Sequence, residues 1–142
     1  MKTSMYGITK ESLTLFKPII ELLNNKNIKI IYYGDINNRK NEWFIYFNEK
    51  YYFYDLTIFH EDKKHIIEYN GEKFHPNKEK LNNIEWMEWR QLYHNKTADE
   101  VFLFDEYKKK IAIDNGFKVL TIWAEDKNLN TNKILEFLKD IL

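Results

Sequence analysis

The segment KKHIIEYNGEKFH, residues 63–75, decides how this chain is read. Its run of β-branched and aromatic residues, Ile66, Ile67 and Tyr69, has the composition of a strand. Glu68 nevertheless sits in the most apolar part of that run, Asn70 and Gly71 end it, and His75 follows shortly after the glycine. A carboxylate placed there requires a partner, because burying an unpaired charge is costly. Glycine at the break permits a bulge or a close approach of the backbone to something else.

Upstream of this strand, read from His65 to Asn70, residues 61–64 form a turn and Tyr51–Phe59 form one aromatic strand. Trp43–Phe47 is expected to pair with it about a turn at Asn48, Glu49 and Lys50, and Ile28–Tyr33 is a short strand ended by Gly34 and Asp35. Together these strands are expected to form a meander. Leu13, Phe16, Ile20 and Leu23 recur at helical intervals over residues 10–24, with Pro18 as a kink or a reason to shorten the helix.

Downstream, Thr97-Ala98-Asp99-Glu100 fits a capping box, so a long helix should run from there to Gly116, placed to end it in a left-handed conformation. Phe117–Trp123 reads as a strand. Thr131 is expected to cap a last helix that turns Ile134, Phe137, Leu138 and Ile141 inward. The expected architecture is a single α/β domain over residues 1–142, a mixed sheet flanked by helices.

Composition bounds the function. With 142 residues, 44% hydrophobic and 17% aromatic, the chain has material for one core. It contains no cysteine, which removes disulfides, thiol chemistry and cysteine zinc sites and suits a reducing compartment, so a cytoplasmic protein is expected. Residues 1–5 lack an apolar segment of signal-peptide length, and no run is long enough to span a membrane, so no membrane partner is expected. Lys+Arg and Asp+Glu are equal at 22, so a nucleic-acid partner would have to be held by a local basic stripe rather than by net charge.

Three carboxylates read as turned inward. The two-residue period of the long strand places Asp55 with Tyr51, Phe53, Thr57 and Phe59. Helical spacing from Val101 and to Ala112 places Asp105 on the apolar face of its helix, leaving Glu106, Lys109 and Lys110 outside. Glu68 is the third. Carboxylates that converge in a dry site repel each other unless a cation lies between them. An oxygen-rich, cysteine-free set favours Mg2+ or Mn2+, ions that keep waters and bind substrate phosphates. That chemistry points to phosphodiester hydrolysis, with His75 as the candidate to take a proton from water.

Blander readings apply to several residues. Asp55 alone reads as a hydrogen-bonded structural residue, and His60, His65 and His94 as surface or turn residues. Ile84–Arg90 reads as a short packed helix, and the lysine run 108–110 as a solvated face.

In chain order, Tyr54-Asp55, the block from Ile67 through Glu68, Tyr69, Asn70 and Gly71 to His75, Asp105-Glu106-Tyr107-Lys108, and the block Gly116–Trp123 resemble the very-short-patch repair endonuclease fold. They are more closely similar to the phage-type homing endonucleases that share that fold and are named for a Glu-Asp-X-His-Asp active site, a branch of the PD-(D/E)xK nuclease superfamily. The resemblance spans about residues 42–125, and its specificity lies in the order and spacing of the blocks.

The resemblance implies a restriction-endonuclease-like core and a Mg2+-dependent DNA endonuclease, a hydrolase. It implies Asp55 as the central metal ligand, the carbonyl of Tyr69 at the X position, His75 as general base or water-positioning residue, and Asp105 as the carboxylate that orients His75. Glu68 is kept as a supporting carboxylate. For the leading glutamate Glu42 is preferred, with Glu11 as the position that repair-enzyme topology favours.

The sequence departs from the pattern where Asn70 stands in place of the superfamily's lysine, and where Ala124, not a glutamate, follows Trp123. Residues 76–96 are expected to contact DNA, with Lys78, Lys80 and Arg90 on phosphates and Trp86 or Trp89 against a base step. The chain ends soon after the fold closes, so specificity is expected from loops, a homodimer or partners. A phage-encoded enzyme acting in the host cytoplasm fits this picture. The alternatives are a structure-specific nuclease or resolvase on the same core, or a catalytically silent nucleic-acid-binding or inhibitor protein.

Overall fold

The computed structural model describes residues 9–34 and 41–142. Residues 1–5, read above for a signal segment, and Asp35, read with Gly34 as the end of a strand, lie outside the described residues. Four α-helices are described: α1 (Lys10–Asn25), α2 (Asn83–Glu88), α3 (Ala98–Asp114) and α4 (Asn130–Phe137). The strands are β1 (Ile30–Tyr33), β2 (Trp43–Phe47), β3 (Lys50–Tyr54), β4 (Leu56–His60), β5 (Lys63–Asn70) and β6 (Lys118–Trp123). The protein is thus mixed α/β, as expected, and none of the described helices is long and apolar enough to cross a membrane.

The strands do not form one meander. A four-stranded sheet has the order β1-β4-β5-β6, antiparallel throughout except for the parallel pair β5 and β6, while β2 and β3 form a separate hairpin. The span read as one strand, Tyr51–Phe59, is broken at Asp55 into β3 and β4, which belong to different sheets. Tight two-residue turns join β2 to β3 and β4 to β5. Asn48 and Glu49, at φ 51° and 67°, close the hairpin, and Glu61, at φ 56°, starts the turn before β5. Positive φ at both central residues matches the right-handed twist of the paired strands.

β5 is the centre of the molecule because both of its faces are covered. Ile67 packs with Phe16, Ile19, Ile20 and Leu23 of α1, Leu56 and Ile58 of β4, Ile122 of β6, and Ile134 and Leu138 of α4. Ile66, one residue earlier and so on the opposite face, packs with Tyr52 and Tyr54 of the hairpin, Ile111 and Ala112 of α3, and Phe117. The result is three layers: α1 and α4, the sheet, then α3 with the hairpin.

Local chemistry explains the helix boundaries. Thr97 and Glu100 form the expected capping box at the start of α3, and Thr9 with Ser12 forms another at α1. Helix α1 continues through Pro18 to Asn25 and is not shortened. At the end of α3 the Phe117 N–H donates to the Ala112 carbonyl and the Gly116 N–H to that of Ile113. Gly116 has φ 90°, so this is a Schellman ending that folds Phe117 back beside Ala112.

Some expectations fail for identifiable reasons. Thr131 lies inside α4, whose N-cap is Leu129 with no side-chain cap. Helix α2 exists with none of its residues buried, and it leans on α3 through Trp86, whose ring meets that of Phe102 edge-on. His65 is not a surface residue. It is fully buried on the α1/α4 face of β5, where its Nε2 lies 2.9 Å from Asp140 Oδ1 and its ring packs edge-on against Phe137.

Candidate active site

Asp55 stands at the junction of β3 and β4, opposite Glu68 at the point where the β4–β5 ladder has just ended at Leu56 and Ile67. Side chains replace the missing backbone bonds. The Asp55 N–H donates to Glu68 Oε2 at 3.0 Å, and the Tyr69 N–H donates to Asp55 Oδ2 at 2.8 Å. Each strand thus satisfies the other's free amide with a carboxylate, which accounts for an acid at position 68. The break at 55 and the acid at 68 are one device.

The pair needs positive charge, and Lys108 supplies it. Its Nζ lies 2.7 Å from Glu68 Oε1 and 5.0 Å from the centre of the Tyr54 ring, while the Tyr54 hydroxyl donates to the Lys108 carbonyl at 2.8 Å. The side chains of Lys108 and Glu68 are only 23% and 14% exposed. Lys108 is therefore no part of a solvated lysine face. Burial works against its ammonium, but Glu68 and Asp55 hold it charged well above the usual lysine range. Burial raises the pKa of Asp55 well above the carboxylate range, with Glu68 adding to the rise, Lys108 opposing it, Glu42 raising it further and the Tyr69 N–H lowering it.

Asp105 does not join these carboxylates. It lies 2.7 Å from His75 Nδ1 through its Oδ2, both side chains being about one-quarter exposed at 25% and 29%. His75 is brought there by a turn in which the Phe74 and His75 N–H groups both donate to the Gly71 carbonyl. Gly71 is not needed for close approach or for an unusual conformation. Its φ is not positive, and no atom lies within 4 Å of where a Cβ would stand. The turn is built by its carbonyl.

His75 opens onto a cleft of about 410 Å³ beyond the carboxyl end of β5 and β6, lined also by Glu11, Tyr69, Lys73 and Glu125. Crevices at the carboxyl ends of parallel strands are a recurrent place for ligands in open α/β sheets. The two glutamates weighed for the leading position are separated. Glu42, 7% exposed at the threshold of β2, acts electrostatically on Asp55, whereas Glu11 reaches the cleft from α1 and acts on the Tyr69 phenol. Among the described residues, no three histidine or carboxylate side chains converge closely enough to hold an ion.

The residues read as DNA contacts are engaged within the chain. Lys80 pairs with Asp126 at 2.6 Å and Glu125 at 3.7 Å, and Lys78 sits over the rings of Phe102 and Trp86 at 4.6 and 5.7 Å. Arg90 donates to the carbonyls of Met87 and Trp89. Trp86 donates to Asp99, and Trp89 to the Glu72 carbonyl. Lys78, Lys80 and Arg90 remain exposed, while both indoles are partly covered.

Sequence reasoning missed Lys108 and Asn77. The first was accessible, since Lys108 lies one turn from Asp105 and one turn from Ile111 and Ala112, on the same side of α3. Asn77, 5% exposed, donates to Glu125 and accepts from the Glu79 N–H, a loop contact without periodicity to betray it. Comparison of the chain with family models, with curated proteins and with solved structures found no match.

Proposed function

We propose that the protein is a metal-dependent DNA endonuclease with a restriction-endonuclease-like core of the very-short-patch-repair type, similar to the homing endonucleases of that branch. The observation that carries this reading is the His75–Asp105 pair at 2.7 Å, placed at the carboxyl end of the strand that also holds Tyr69 against Asp55. Asp105 accepts only, so it fixes the imidazole proton on Nδ1 and leaves the Nε2 lone pair to receive a proton.

The donor chemistry fits a hard divalent ion of the Mg2+ or Mn2+ type. Asp55 is a carboxylate that burial and neighbouring acids make expensive to ionise without added positive charge. The Tyr69 N–H faces Asp55, and a strand residue's carbonyl faces the same side as its N–H, so that carbonyl lies beyond the end of β4. One carboxylate and one carbonyl, with waters and a substrate phosphate, suit such an ion without a cluster of three acidic side chains. Asp55 and the Tyr69 carbonyl would hold it. When bound, it would offset charge on the phosphate and acidify a coordinated water. His75 would take the water's proton at Nε2, with Asp105 stabilising the imidazolium that results. Glu11, which shares the cleft with His75, is better placed than Glu42 to orient that water.

DNA is the proposed partner, anchored through Lys78, Lys80 and Arg90, with Lys80 exchanging acidic partners for phosphate. A homodimer would supply a second cutting centre, and cytoplasmic action suits the absence of cysteine.

The test is incubation of supercoiled plasmid and of branched DNA with wild type, Asp55→Ala and His75→Ala, in Mg2+, Mn2+ and EDTA. Metal-dependent cutting lost in both variants is the expected result, and preference for the branched substrate would identify a structure-specific nuclease. One observation favours a second reading, a catalytically silent DNA-binding or inhibitor protein: Lys108 already gives Glu68 a cation, and no three-ligand group is formed among the described residues. Wild type that folds and binds DNA yet cuts neither substrate with any metal would support it.

A further inference from the structure

Glu68 has both carboxylate oxygens committed: Oε1 to the Lys108 ammonium at 2.7 Å and Oε2 to the Asp55 N–H at 3.0 Å. Glu68 is also not among the residues that line the cleft at which Tyr69 and His75 stand. Lys108 is itself fixed from both ends, its ammonium over the Tyr54 ring and its carbonyl accepting the Tyr54 hydroxyl. Since Tyr54 immediately precedes Asp55, α3 grips β3 through Tyr54, β5 through Glu68, and both sides of Asp55 through these two.

We propose that Lys108 and Glu68 form a strut that positions Asp55, and that Glu68 is a positioning residue and not a metal ligand. The strut gives the two carboxylates opposite duties. Asp55 keeps a functional carboxylate because its backbone amide, not its side chain, is what Glu68 holds. The catalytic part of this inference rests on the endonuclease reading, but the positioning part does not. If the strut exists, its removal loosens the Asp55 amide whatever the protein does.

Two measurements separate these levels. The first is amide hydrogen exchange by NMR on wild type, Lys108→Met and Lys108→Arg. Loss of the ammonium should speed exchange at Asp55 by at least roughly tenfold, a local opening, while the β1–β4 ladder stays protected and arginine restores protection. Because Lys108→Met leaves Glu68 as an uncompensated charge, the Lys108→Met/Glu68→Gln double variant is measured beside it; its glutamine keeps an acceptor for the Asp55 N–H. Unchanged exchange at Asp55 in Lys108→Met would overturn the strut.

The second is Mn2+ titration by electron paramagnetic resonance, with cleavage kinetics, on Glu68→Gln and Glu68→Leu. A strut predicts that Glu68→Gln binds Mn2+ within about threefold of wild type, while Glu68→Leu and Lys108→Met each lose roughly 10- to 100-fold in kcat, as supporting residues around metals do, and do not compound when combined. A loss of Mn2+ affinity above about tenfold in Glu68→Gln would make Glu68 a ligand and overturn the proposal. Wild type that neither binds Mn2+ nor cuts would sink the endonuclease reading instead, with amide exchange still deciding the strut.

Discussion

Replacing Asp140 by alanine takes away the partner of a histidine that has no access to water. His65 is 0% exposed, its Nε2–H donates to Asp140 Oδ1, and its Nδ1 has no partner among the described residues. At pH 8, where His65 is neutral, Asp140→Ala leaves a buried donor unpaired. That costs about 1–2 kcal/mol, the lower part of the usual range, because Asp140 is 23% exposed and water can enter the vacated space. Loss of the Lys118 contact, at 2.8 Å on a largely exposed side chain, adds about 0.5 kcal/mol. Urea unfolding at pH 8 should therefore show a loss of about 1.5–2.5 kcal/mol.

The pH dependence is the sharper part of this prediction. Burial lowers the His65 pKa below its ordinary 6.5, and Asp140 opposes that shift. The unfolded chain then binds the proton more readily than the folded one, so the stability gained from neutral His65 is complete above the ordinary pKa and is lost as pH falls toward the lower folded value. Asp140→Ala removes the carboxylate that raises the His65 pKa while burial, Lys118 and Lys63 still lower it, so the folded pKa falls further and the loss between pH 8 and pH 5 becomes steeper, to a ceiling of about 2 kcal/mol for this one proton. Desolvation raises the pKa of Asp140, but Lys118 and His65 outweigh it and hold the carboxylate below its usual range, so its own contribution is lost only at more acidic pH. His65→Phe is the control. If the Asp140→Ala variant loses no more stability than wild type between pH 8 and pH 5, or if the steepening persists in the His65→Phe background, the reasoning is wrong.

Other outcomes follow from single contacts. Tyr54→Phe should cost about 1 kcal/mol in urea unfolding, for the hydrogen bond to the Lys108 carbonyl, with its apolar packing kept. Gly116→Ala should cost about 1–2 kcal/mol, since φ 90° is strained for alanine and its Cβ would meet the Lys64 side chain at 3.2 Å. Leu138→Ala, in the core between α4 and the sheet, should cost about 2–5 kcal/mol and lower the thermal midpoint accordingly. If the protein cuts DNA, Asp105→Asn should fold normally yet lose roughly 100-fold or more in kcat, because the amide no longer enforces the Nδ1–H tautomer; retained activity would remove Asp105 from the mechanism.

Elements marked by local chemistry were legible. The Thr97–Glu100 box and Gly116 delimit α3 through hydrogen bonds made within a few residues, so their sequence signal is complete. The break at Asp55 was not, because Tyr51–Phe59 contains neither glycine nor proline and its alternation continues across the junction. What breaks the strand is Glu68, which takes the Asp55 amide from the far side of a turn, a cause that no window around Asp55 contains. His65 shows the same limit from the opposite direction. The two-residue period places it with Ile67 and Tyr69, but β5 is covered on both faces, so a run of Lys63, Lys64 and His65 that reads as a solvated approach already lies against α4 at its third residue. For the candidate site, helical spacing turned Asp105 inward but toward Asp55 and Glu68; its place beside His75 was what the resemblance implied, and Lys108, one turn further along the same helix, read as part of a solvated lysine run.

The strand order also sets when these groups can meet during synthesis. Asp55 and Glu68 lie 13 residues apart across a tight turn, so their amide–carboxylate exchange can form as soon as that hairpin leaves the ribosome. Lys108 belongs to the crossover that must be made before β6 can lie parallel to β5, and His75 waits for Asp105, 30 residues later. For that interval the nascent chain carries an acid pair without its cation. Docking of α3 is thus the moment at which the acid pair gains its counter-charge, and slowing translation through residues 98–114 would prolong the time the hairpin spends without it.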